Sequence, residues 1–491
     1  MSSPKRSSIR QLSIAPLLKK LVGHHTVDTK EIKAALLLID NGSLSDAQIS
    51  LLLGLLTIRQ YDLSNHETDL FARYLEASEP ESQINGHEAI IPLLHLLLKG
   101  GEPPLDEIAD AVALTLENRL SRVHCALLLG LMAYTGLDKD PKVLAKAAER
   151  MRAVANQTKR EALLRAVQNA QPSRGLYRGG LCDIVGTGGD GHLTYNVSTT
   201  ASIIASSYLM LSKHGNRASS STSGSADLLQ AVQPVGPDIE AVNAENLPAV
   251  YSRSSYAFLF APKFHPGMRH VAALRRELGI RTIFNVLGPL VNPVEDLIEA
   301  RLVGVAEKRM GPVFAETLRL TGARKAMVVC GAENLDEISC AGHTFCWRLY
   351  EERGTIHVDE FQLSPRDFGL PEHPLTEVAG GKSPQENASI LVDMLQNKLN
   401  EDDPVLHFVL MNAAALFAIA GLCEDDNSAS RPDVETILER GPGGQRWKEG
   451  IRLARKAVKE GNAFESLQKY IAATRGVCVE KVPLPNTQPG K

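Results

Sequence analysis

Residues 183–199 read DIVGTGGDGHLTYNVST. Gly186, Gly188, Gly189 and Gly191 fall within six residues. Glycine that dense costs backbone entropy unless the chain needs a positive φ or a bare backbone there. The apolar run LCDIV precedes it and NVSTTASIIASSYL follows, so the segment predicts a strand, a glycine loop and a helix starting near Asn196. Backbone N–H groups converge in such a loop, and the helix N-terminus carries partial positive charge; together they make an anion site. No Lys-Ser/Thr follows the glycines and their spacing is not that of the dinucleotide motif. A tight turn that binds nothing is the plain alternative for this stretch taken alone.

Two later stretches bear on that choice. Residues 213–227, KHGNRASSSTSGSAD, also follow a short apolar run. Lys213 and Arg217 offer cationic donors, the serines offer hydroxyls, and Gly215 and Gly224 allow close approach, so the two loops suit a multiply phosphorylated ligand; a flexible serine-rich loop is the alternative. Residues 331–339, GAENLDEIS, follow the strand-like AMVVCG and place Asp336 and Glu337 beyond a strand end, where α/β folds hold ligands. Mg²⁺ takes a few carboxylates together with water and phosphate oxygens. A solvated turn is the ordinary reading of a lone Asp-Glu pair.

Further out, the chain changes character near residue 176. Before it the pattern is helical, and LSDAQISLLLGL at 44–55 resembles LSRVHCALLLGL at 120–131 at a constant offset of 76. A serine stands before each apolar run where an N-cap belongs. From 176 onward short β-like runs alternate with helical patterns, which predicts an α/β domain with a central, mostly parallel sheet. The expected domains are an extended all-helical block at 1–175 that reads as partly duplicated, joined by the basic amphipathic segment 264–284, and an α/β domain from 176–263 and 285–482. Residues 423–447 read as a polar surface insertion and 483–491 as a disordered tail.

The 491 residues carry a net charge of −4, which gives no bulk reason to expect nucleic acid or an anionic membrane as partner. No apolar run reaches the roughly 18 residues of a membrane helix. Seven scattered cysteines without a CxxC pair argue against a disulfide framework or structural zinc and for a reducing compartment. The basic opening MSSPKRSSIRQLSIAPLLKKL has the look of a transit peptide, but a frayed terminus running into a first helix is the preferred reading, and the expected location is the cytoplasm.

Taken together, GTGGDG, NVST, KHGNRASSSTSGSAD, HPGMRHVAALRRELGIRTIFNVLGPLVNP, LDEIS, DFGL, QENA and MNAAA, in that order, resemble the anthranilate phosphoribosyltransferases over about residues 180–475. The resemblance implies transfer of phosphoribose from 5-phosphoribosyl 1-diphosphate (PRPP) to the amino nitrogen of anthranilate, in tryptophan biosynthesis. It implies PRPP contacts from Gly186, Gly189, Asp190, Thr194, Asn196, Ser198, Thr199, Lys213, Ser221 and Ser225. Ser198, Asp336 and Glu337 would help hold two Mg²⁺ ions, and Gly186, Asn216 and Arg275 would meet anthranilate. No general base is assigned: His214 and His265 could shuttle protons, but a neutral lining role for His214 fits better. A homodimer through the helical domain is also implied. Departures from the family pattern include Ser219, Thr222 and Asn334, the last standing where glycine is common. The competing readings are a catalytically silent relative binding nucleic acid or a regulatory ligand, and a nucleoside phosphorylase.

Overall fold

The computed structural model describes residues 13–76, 85–170, 173–218, 222–381, 383–425 and 436–479. Ser221, the tail 483–491 and the middle of the 423–447 stretch lie outside the described residues. The helices α1 (Ala15–Val22), α2 (Thr29–Asp40), α3 (Asp46–Ile58), α4 (Asn65–Glu76), α5 (His87–Leu98), α6 (Leu105–Leu116), α7 (Arg122–Thr135) and α8 (Pro141–Ala153) come first. Then follow α9 (Arg160–Ala170), β1 (Leu181–Gly186), α10 (Val197–Ala205), β2 (Met210–Gly215), α11 (Ser225–Gln230), α12 (Leu247–Tyr251), β3 (Tyr256–Phe260), α13 (Ala261–Phe264) and α14 (Met268–Leu278). The remainder carries β4 (Ile298–Gly304), α15 (Met310–Leu320), β5 (Ala326–Gly331), β6 (Thr344–Glu352), β7 (Thr355–Leu363), α16 (Pro384–Leu395), α17 (Pro404–Ala420), α18 (Trp447–Lys459) and α19 (Asn462–Val479).

Two compact units result, Met1–Val154 with Gly267–Val286, and Ala155–Pro266 with Leu287–Lys491. In the first, α3 and α7 start alike: Ser45 Oγ accepts from the Gln48 N–H at 3.3 Å and Ser121 Oγ from the His124 N–H at 3.2 Å. Their contacts are reciprocal under the offset of 76. A Cβ on Gly54 would stand 2.7 Å from Leu127, and one on Gly130 would stand 2.0 Å from Leu51. Each glycine thus makes room for the leucine of the other copy, and a side chain there would make that leucine repack. Glu277 on α14 ties the two starts together, accepting from Ser45 Oγ and from Arg122.

The second unit is built on a seven-stranded sheet in the order β3-β2-β1-β4-β5-β6-β7. The first five are parallel and β6 and β7 close the sheet as an antiparallel hairpin. β3 and β5 are buried along their whole length, which is why their sequences run apolar without alternation; β7, at the edge, is largely exposed. Behind the sheet α17 is buried from Leu406 to Ala420. On α9, Leu163 and Val167 join this same apolar core. The first boundary therefore falls at 154, not at the expected 175. The 423–447 stretch is not a surface insertion throughout: Cys423 and Trp447, at its two ends, are each 1% exposed. Among the described residues, no helix is long and apolar enough to cross a membrane.

Candidate active site

The strand order reverses at β1, which pairs with β2 on one side and β4 on the other. A crevice beyond the carboxyl ends of the strands at such a switch point is where open α/β sheets bind ligands. The glycine loop leaves β1 there. Gly188, Gly189 and Gly191 take φ of +66°, +76° and +80°, a left-handed backbone that side chains disfavour. Gly186 answers a different need, since its Cβ would stand 2.3 Å from Asp336 Oδ2. Its strand partner Gly304 is tighter still, with a Cβ that would meet the Asp336 backbone O at 1.6 Å. Both glycines let the loop after β5 lie across the ends of β1 and β4. The Gly188 N–H then donates to Asp336 Oδ2 at 2.6 Å, and the Ser198 N–H, in the first turn of α10, donates to Glu337 Oε1 at 3.3 Å.

Lys213 reaches this point from β2. It is 2% exposed, and its Nζ donates to the Ile184 O at 2.7 Å and to Ser198 Oγ at 3.3 Å. Burial pulls Lys213 down to about 8, with Asp183, Glu337 and Asp336 opposing the fall. Burial, then the charge of Asp190, pushes Asp336 up to about 7. Glu337 is raised well above the carboxylate range by burial, then by Asp336 and Asp190. Glu337 Oε2 is buried without a hydrogen-bond partner. Asp183, Asp336 and Glu337 thus act on one buried ammonium, with Arg301 also facing Asp183, which leaves Asp336 and Glu337 as the pair short of positive charge. Among the described residues there is no cluster of three or more His, Cys, Asp or Glu fit to cage a metal. Two hard carboxylates with an unused oxygen suit Mg²⁺, which fills its remaining positions with water and phosphate oxygens.

The described ends of the serine-rich stretch are tied to α11 and α10. Asp227 Oδ2 accepts from the Gly224 N–H at 3.0 Å and the Ala218 N–H at 2.8 Å. Thr199 Oγ1 bonds Ser225 Oγ at 2.8 Å, and Asn196 Nδ2 donates to the Ser223 O at 2.9 Å. Arg217 is committed to Asp227, Gln230 and Glu240 and lies over the Phe260 ring, so it is a structural cation, not the free donor its sequence setting suggests. His214 sits 5.2 Å, ring to ring, from His265. Burial and that neighbour push it down to about 3, so it is a neutral imidazole.

Gly186, Gly189, Asp190, Thr194, Asn196, Ser198, Thr199, Lys213, Asn216, Ser225, Asp336 and Glu337 all belong to the second unit. Arg275 lies on α14 in the first, its Nε buried without a hydrogen-bond partner. Sequence reasoning missed several positions. Gly304 gave only the weak signal of a lone glycine ending a strand. His192, whose Nε2 lies 2.9 Å from the Glu333 O, links the glycine loop to the loop after β5. Segment 378–380 pairs with the end of the glycine loop, the Tyr195 N–H donating to the Val378 O and the Gly380 N–H to the Leu193 O, both at 3.0 Å.

A family model described as glycosyl transferase family, a/b domain, matches residues 178–464. The anthranilate phosphoribosyltransferase of Schizosaccharomyces pombe is 36% identical over 368 residues, 75% of this chain and 92% of that protein. This chain belongs to the anthranilate phosphoribosyltransferase family. The Saccharomyces cerevisiae member solved in complex with PRPP and Mg superposes with a TM-score of 0.64 at 31% identity, covering 79% of this chain and 98% of that one. The same enzyme with 4-fluoroanthranilate gives 0.64 at 29% identity, covering 81% and 100%.

One departure from the anthranilate phosphoribosyltransferase pattern now has a cause. Asn334 adopts φ +61°, the left-handed region where glycine is strain-free and asparagine is the best-tolerated side chain. Asn334→Gly is expected to leave the urea midpoint of unfolding nearly unchanged, whereas Asn334→Val should cost about 1–2 kcal/mol.

Proposed function

We infer that the protein transfers the 5-phosphoribosyl group of PRPP to the amino nitrogen of anthranilate, releasing pyrophosphate. The observation that carries this reading is the convergence, at the switch point, of the glycine loop, the α10 N-terminus, buried Lys213 and the Asp336–Glu337 pair. Displacement at the anomeric carbon builds positive charge on the ribose and negative charge on the departing diphosphate. Loop N–H groups around Gly189 and the Lys213 ammonium are fixed before reaction, so they stabilise that negative charge without reorganising. Mg²⁺, held by Ser198, Asp336 and Glu337 and counted here as two ions, would neutralise phosphate charge as a Lewis acid. Gly186, Asp190, Thr194, Ser221 and Ser225 complete the PRPP contacts in this reading. The Asn196 and Thr199 side chains serve through the serine loop they hold.

Asn216 and Arg275 orient anthranilate, Arg275 facing its carboxylate. An aromatic amine already presents its lone pair, so no base is required, and a neutral His214 fits that. Arg275→Ala is expected to raise the KM for anthranilate about 10- to 100-fold while shifting that for PRPP less than about threefold. Steady-state kinetics with each substrate varied in turn measures the split, and equal shifts would remove Arg275 from this role. We further propose a cytoplasmic homodimer assembled through the helical unit. Among the described residues, Cys182, Cys330, Cys340, Cys346 and Cys423 are buried thiols, which supports a reducing location.

Anthranilate fluorescence gives the direct test, with the product drawn off by a coupling enzyme. A decay that needs protein, PRPP and Mg²⁺ together is expected. A flat trace from folded protein would overturn the reading.

A further inference from the structure

Asn196 stands at the N-cap of α10 but makes no side-chain cap bond. An asparagine there ordinarily accepts from the N–H two or three residues on, satisfying a free donor of the helix. Here its amide is held elsewhere. Asn196 Oδ1 accepts from Asn387 Nδ2 at 3.1 Å, while Asn196 Nδ2 donates to the Ser223 O. Asn387, on α16, is 2% exposed, and its Oδ1 accepts from the Gly381 N–H at 2.5 Å, which fixes which way its own amide points. Asn387 makes no contact with the carboxylates or Lys213 in these bonds, and its sequence setting, QENA, carries no chemistry of its own.

We propose that Asn387 is a positioning residue that draws the Asn196 side chain off the end of α10, where Glu337 already takes the Ser198 N–H, and so leaves the remainder of the helix's positive end to the anionic end of PRPP. The proposal rests on the reading of PRPP as substrate. An N-cap side chain and a ligand anion compete for the same N–H groups and the same positive end of the helix dipole. Self-capping stabilises the helix and blocks the ligand; diversion does the reverse. With its Oδ1 held by Asn387, Asn196 turns its Nδ2 to the Ser223 O, so one contact keeps the side chain off the helix end and ties it to Ser223.

Stability and affinity should therefore move in opposite directions. Serine at 196 is too short to reach Asn387 and caps its own helix, whereas alanine does neither. Asn196→Ser is expected to melt at a higher temperature than Asn196→Ala and yet bind PRPP with Mg²⁺ about five- to tenfold more weakly by calorimetry. A serine variant that binds as tightly as the alanine one, or more tightly, overturns the proposal. Asn387→Ala should raise the KM for PRPP about tenfold and that for anthranilate less than about twofold. In an Asn196→Ala background it should add nothing, and the same factor in both backgrounds would mark a merely structural residue. Asn387→Asp keeps an acceptor for the Gly381 N–H but has no donor for Asn196 Oδ1, so it should lose affinity for PRPP much as Asn387→Ala does, and an aspartate variant that binds like the parent would overturn the proposal. A parent protein that fails to bind PRPP overturns the functional reading and this proposal with it; a binding parent with indifferent variants overturns the proposal alone.

Discussion

Gly304→Ala is expected to lower kcat/KM by about a thousandfold while the protein still folds. The added methyl would meet the Asp336 carbonyl at 1.6 Å for O and 2.4 Å for C. These are backbone atoms, not the end of a flexible side chain, so the whole loop must move. That loop is anchored on its far side, with the Gly331 N–H on the Leu335 O at 2.8 Å and the Ile338 N–H on Asn412 Oδ1 at 3.1 Å. Relieving the contact takes a shift of more than about 1 Å, and a misplacement of about 1 Å already costs about two orders of magnitude in positioned chemistry. Loss of the metal-holding geometry proposed for Asp336 would add to it. The stability cost should be ordinary overpacking, about 1–3 kcal/mol. Gly311→Ala is the control: its methyl would strike the Trp347 ring at 2.1 Å, in the packing of α15 on β6, and should cost similar stability with turnover retained. Saturating kinetics and urea unfolding on both variants measure the separation. Turnover by Gly304→Ala within tenfold of the parent would mean that Asp336 need not sit where it does.

The contrast between Gly186 and Gly304 shows what the sequence made legible. The glycine loop announced itself because four glycines in six residues have few structural uses, and the strand, loop and helix around it follow from local pattern. Asp336 and Glu337 were legible as a carboxylate pair past a strand end. Gly304 was not, because its reason is a backbone from another part of the chain lying across it. The same holds for Asn387 and segment 378–380: their partners are set by the fold, and no periodicity points to them. Arg217 misled in the opposite direction. Its neighbours in sequence suggested a phosphate contact, while Glu240 and the Phe260 ring, both distant in sequence, hold it. The boundary near 154 was hidden because α9 is amphipathic like the helices before it, and only the destination of Leu163 and Val167 assigns it to the sheet.

Glu337→Gln should separate stability from activity more sharply than any other substitution in the site. Burial and the charges of Asp336 and Asp190 hold Glu337 above its ordinary range, so its ionised form is a burden on the folded chain. A carboxyl whose folded pKa is raised contributes stability that is present below the unfolded pKa, about 4.3 for Glu, and is lost as pH rises through the folded pKa. A glutamine carries no such burden. Without divalent cation, the variant is expected to be more stable than the parent by about 1–3 kcal/mol at pH 8, with the difference vanishing near pH 4. Activity should fall by about two to three orders of magnitude at every pH, because the neutral amide holds Mg²⁺ and its diphosphate poorly. Raising Mg²⁺ should recover part of the loss and, in the parent alone, should also raise the unfolding midpoint by binding where the charge is uncompensated. Urea unfolding in chelator at the two pH values, with and without added Mg²⁺, reads all of this at once. A glutamine variant less stable than the parent at pH 8 would show that Lys213 already balances the pair, and the requirement for a cation at the switch point would then rest on substrate phosphate alone.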